Sequence, residues 1–152
     1  MKLSSFCRTK PIESEDIKLL TQNTLEESIF DLTDAVGNKK TKTALDTLYR
    51  LYNADIRESE VLSKITWHVR NLLLVKNLAT NNESSFTSFG VSKKIGIHPF
   101  AAKKALAQSR SYALDELKNI YQSLVDIDRM MKGSILKPRW LLDLFIIKTT
   151  RK

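Results

Sequence analysis

The chain has 152 residues, 42% of them hydrophobic and 28% charged, with 4 Gly and 3 Pro. That is enough sequence for one domain that folds without disulfide or metal staples, and so little turn-forming material points to helices rather than sheet. The 25 basic and 17 acidic residues leave a net charge of +8, which admits an anionic partner such as nucleic acid and equally suits a soluble basic domain.

Residues 1–10 show no periodicity and read as a mobile basic arm. They lack the apolar run a signal sequence needs, and the lone Cys7 has no internal disulfide partner, so a reduced thiol in a cytoplasmic protein is expected. A short helix is predicted from Pro11 to Asn23, with Ser14 as N-cap and Glu15 and Asp16 in its first turn. Thr24 and Glu27 have capping-box spacing before Leu25, Ile29, Leu32 and Val36, and Gly37 is expected to end that helix. Beyond the Asn38-Lys39-Lys40 turn, Ala44, Leu45, Leu48, Leu51 and Tyr52 form a second amphipathic face.

A long helix is predicted from Glu60 to Ala79, carrying Val61, Leu62, Ile65, Val69, Leu72, Leu73 and Val75, with Leu74 and Leu78 widening its stripe. Asn81 to Ser85 is a polar loop. Two shorter helices follow, around Val91 to Ile95 and from Pro99 to Ser109, separated by Gly96. Leu114, Leu117, Tyr121, Leu124 and Met131 keep one face over a helix ended by Gly133, and Pro138 opens a last helix that is apolar nearly all round. The predicted fold is an all-α helical bundle whose core includes Leu32, Leu48, Ile65, Leu72, Leu106, Leu117, Leu124 and Leu142.

Four segments, IFDLTDAV (29–36), VLSKITWHVRNLLLVKNL (61–78), KKIGIHPFAAKKALAQSRSY (93–112) and LVDIDRMMKG (124–133), together resemble the DNA polymerase III delta subunit. The resemblance implies a clamp-loader C-terminal collar domain over residues 24–152 and the end of the lid domain over 1–23. It further implies a non-catalytic assembly module of the clamp loader, with other clamp-loader subunits as partners and self-association in their absence. The family's N-terminal module, which carries the clamp-binding element, has no counterpart in these residues.

The chemistry of the residues agrees with a non-catalytic role. No GxxxxGK[ST] loop is present to cradle a nucleotide phosphate, and Cys7, His68 and His98 match no metal-ligand spacing, so no cofactor is expected. His68 lacks the companions of a catalytic relay and is expected to pack on its helix, while His98 stands where it can open one. Asp126 and Asp128 diverge on a helix, whereas Asp128 and Lys132 are spaced for an ion pair or for contact with another subunit. The last helix supplies the other candidates for contact with a neighbouring subunit, Trp140, Leu141, Leu144, Phe145 and Ile147, with Ile146 adding to its apolar surface. The second reading is a helix-turn-helix DNA-binding protein using the basic segment 91–110. Lys93, Lys94, Lys103, Lys104, Gln108 and Arg110 are its candidate contacts, in a stretch from Ser84 to Leu114 without an acid.

Overall fold

In the computed structural model, which describes residues 27–80, 87–133 and 136–151, every regular element among the described residues is a helix. In chain order these are α1 (27–37), α2 (Thr41–Asn53), α3 (Glu58–Thr80), α4 (Ser88–Ile95), α5 (Pro99–Ser109), α6 (Leu114–Gly133) and α7 (Pro138–Thr150). The helix expected at Pro11–Asn23, the Thr24 cap and the loop from Asn81 to Ser85 lie outside the described residues.

The helix ends follow from local chemistry. Thr87 caps α4 by accepting the Gly90 N–H at 3.1 Å. Gly96 closes it in the left-handed conformation with φ 75°, which costs a side-chain-bearing residue more than glycine. His98 opens α5: its Nδ1 accepts the Phe100 N–H at 3.2 Å, and Pro99 in the first turn has no N–H left to satisfy. Gly37 is the last residue of α1, yet the left-handed turn that follows is made by Lys39, with φ 56°. Gly37 answers a packing need instead, described below.

α3 is the axis of the bundle and packs against α4, α5, α6 and α7. Leu72 of α3, Leu117 and Leu124 of α6, and Leu142 and Ile146 of α7 are shut off from solvent around it, as are Leu32 of α1 and Leu48 of α2. Leu106 departs from the expected core: it is only partly buried, because α5 seats against its neighbours through Ala102, Ala105, Gln108 and Ser109. Leu74 likewise points partly to solvent. α2 and α7 run antiparallel. Thr41 at the start of α2 meets Thr150 at the end of α7, Tyr49 reaches Asp143, and Arg139 lies over the Tyr52 ring at 4.7 Å.

Candidate functional site

Two surfaces could serve binding, and the fold separates residues that sequence groups together. On α7 the apolar positions divide by helical phase. Leu141, Leu142, Phe145 and Ile146 turn into the bundle, whereas Trp140, Leu144 and Ile147 remain 58%, 65% and 40% exposed. Leu141 and Phe145 are thus buried within this fold, by packing against α2, α3 and α6, and do not belong to the outward stripe. The outward stripe stands in the i, i+4, i+7 register that places residues on one face.

Tyr49 of α2, 48% exposed, borders this stripe and donates to Asp143 Oδ2 at 3.4 Å. Burial pushes the Asp143 carboxyl above its usual range, opposed by the Tyr49 hydrogen bond and the nearby Arg139 charge. Arg139 is engaged with Glu58 at 2.9 Å as well as with the Tyr52 ring. The result is an aromatic and aliphatic surface with Asp143 beside it, hydrogen-bonded by Tyr49. Tyr49 is missing from the sequence-derived candidates because it sits one position off the apolar stripe of α2, and only the antiparallel contact with α7 brings it there.

On the other surface, Lys93, Lys94, Lys103 and Arg110 are exposed along the α4–α5 elbow. Gln108 and Lys104 depart from the expected groove-facing set. Gln108 is buried, and its Nε2 donates to Asp34 Oδ1 at 2.6 Å. Lys104 bonds Asp34 Oδ2 at 3.0 Å and lies over the rings of Phe30 and Phe100 at 5.0 and 5.2 Å. Both side chains fasten α5 to α1.

That fastening includes His68 of α3. Since the Asp34 carboxylate only accepts, Gln108 must direct its N–H group there and its oxygen toward His68 Nε2, 2.9 Å away. The imidazole consequently carries its proton on Nε2. Burial holds the His68 pKa below its ordinary value, against the opposing effects of Gln108 and Asp34. Gly37 underlies the network: a methyl group added there would overlap the Gln108 carboxamide and come within 2.9 Å of His68 Nε2. Tyr112 adds a buried bond from its hydroxyl to the Val36 carbonyl at 2.8 Å, and Lys39 covers its ring at 4.3 Å while pairing with Glu116.

Asp128 and Lys132 form a solvent-exposed ion pair, four residues apart on α6. No cluster of three or more metal-ligating side chains exists among the described residues, and no described helix is long and apolar enough to cross a membrane.

The model of the family described as DNA polymerase III delta subunit, C-terminal domain, matches residues 26–149. The chain is 27% identical over 152 residues to the DNA polymerase III subunit delta of Bacillus subtilis, covering 99% of this chain and 43% of the relative. It is also similar to the solved DNA clamp loader delta protein of Bacillus subtilis, with a TM-score of 0.77 and 26% identity over 99% of this chain and 44% of that one. It thus spans less than half the length of either.

Proposed function

The chain belongs to the family formed by the C-terminal domain of the DNA polymerase III delta subunit, and from that membership we propose that it is a non-catalytic assembly module of the clamp loader. In this reading residues 24–152 act as a collar-like unit, residues 1–23 continue from a lid, and the protein works in the cytoplasm beside the other loader subunits. The observation that carries the assembly role is the outward stripe of α7, with Trp140, Leu144 and Ile147 presented to solvent on a helix whose other side is fully packed. A soluble domain rarely leaves a tryptophan and two large aliphatic residues in one register without a partner, and aromatic anchors dominate protein interfaces.

The test is co-elution with the cognate loader subunits, comparing the native chain with Leu144→Asp. Leu144 is 65% exposed, so the substitution leaves the core intact while placing a charge in the middle of the stripe. Association should persist at raised salt in the native chain and weaken by about tenfold or more in the variant, since centrally buried contacts carry most interface energy. Unaltered binding by Leu144→Asp would remove α7 from the interface. Binding of duplex DNA that disappears with salt, together with no binding to any subunit, would favour the exposed lysines of the α4–α5 elbow instead.

A further inference from the structure

The α7 stripe does not end at its apolar residues. Lys137, Trp140, Leu144, Ile147 and Arg151 follow one another at alternating spacings of three and four, the pattern of a helix-pairing seam. Lys137 and Arg151 flank the helix at its two ends, both exposed, and Lys148 is exposed in the last turn. Lys137 Nζ lies 5.7 Å from the Trp140 ring centroid, so this cation sits at the rim of the apolar surface. The acids nearby are mostly matched by other cations: Glu58 pairs with Arg139, and Glu116, which lines a groove with Lys148 and Arg151, pairs with Lys39. The exposed Asp46 on α2 follows Lys42 by one helical turn, while Asp143, at mid-helix and away from both ends, accepts from Tyr49.

We infer that the α7 seam takes a helix from a different protein, one with an apolar stripe of the same spacing and acidic residues at both ends, and that its charges disfavour pairing with a second copy of this chain. The inference rests on the α7 reading given above and adds the partner's chemistry. Antiparallel self-pairing would bring Lys137 against Arg151 of the other copy at each end, and parallel self-pairing would bring each cation against its own counterpart. Like charges meet in both arrangements, whereas an acidic-ended helix converts both ends to attraction while the apolar centre stays the same. In isolation the chain is then a monomer with an unpaired apolar seam, and the self-association expected from the sequence is the competing outcome.

The experiment uses the full chain at about 0.05 M salt, where surface charges interact over more than roughly 10 Å. Sedimentation should show a monomer for the native chain. Lys137→Glu alone, and Lys148→Glu with Arg151→Glu, should each self-associate, because reversed charge at one end meets the native cation of the opposite end in an antiparallel pair. Lys137→Glu puts a negative charge at a helix N-terminus, where it is favourable, so this variant guards against misfolding of the C-terminal pair. Both should lose about tenfold or more in affinity for the loader subunits. A native homodimer dispersed by Leu144→Asp would overturn the inference, as would binding to the loader that depends on Leu144 yet ignores charge reversal. Loader binding indifferent to Leu144 would instead defeat the underlying α7 reading.

Discussion

Replacing Gly37 with alanine isolates the packing junction of α1, α3 and α5 in one methyl group. The added carbon would overlap the Gln108 carboxamide, the far end of a flexible side chain, and come within 2.9 Å of His68 Nε2, so Gln108 must swing away and the His68 ring must shift by a few tenths of an ångström. That movement breaks the 2.6 Å bond to Asp34 and the 2.9 Å bond to His68, both in partly buried surroundings. A hydrogen bond to a charged group is worth about 1.5–3 kcal/mol and a neutral one about 1 kcal/mol. Alanine returns up to about 1 kcal/mol through its better helix propensity. The net loss is about 2 kcal/mol, or roughly 6 °C of melting temperature for a domain of this size. Thermal unfolding followed by circular dichroism measures it, with Gly133→Ala as the control: nothing lies within 4 Å of the carbon added there, so it should be neutral or slightly stabilising. Gly37→Ala that melts at or above the native temperature would refute the derivation, and so would an equal loss in both variants.

The partly buried His68 makes stability depend on pH with a definite sign. Its folded pKa is depressed, so its contribution is complete above its unfolded value of about 6.5 and is lost as pH falls through that value toward the folded one. The melting temperature of the native chain should therefore fall faster from about pH 7.5 to about pH 5 than that of His68→Gln, and parallel curves would count against burial of the neutral ring. Leu142 is fully enclosed beside α3, and Leu142→Ala should cost about 3 kcal/mol in denaturant unfolding, while a loss below about 1 kcal/mol would show a loosely packed α7. Gly96→Ala meets no neighbour but inherits φ 75°, so it should cost about 1 kcal/mol through backbone conformation alone, and a neutral result would contradict the left-handed cap.

Helix order and most of the core are readable because the apolar periodicity of α2 and α6 matches the faces they bury: Leu48 and Leu51 on one, Leu117 and Leu124 on the other. The resemblance is readable for a related reason, since the segments that carry it lie within α1 and α3 and across α4 to α6. Phase fails on α7, where seven apolar residues between 140 and 147 leave no polar face to mark the outside. Only packing against α2, α3 and α6 distinguishes Phe145, buried, from Leu144, exposed. Leu106 and Gln108 exchange their expected places for a different reason. The alanines of α5 allow close approach, and the group that compensates a buried glutamine is Asp34, 74 residues earlier and invisible to any local pattern.

Hydrogen exchange of the chain with and without the cognate loader subunits tests the assembly role most directly, because it reads where a partner sits without altering a residue. Slowed exchange is expected, concentrated in α7 and the adjoining Tyr49 region of α2. Protection confined to the α4–α5 elbow, or none anywhere on the bundle, would contradict it.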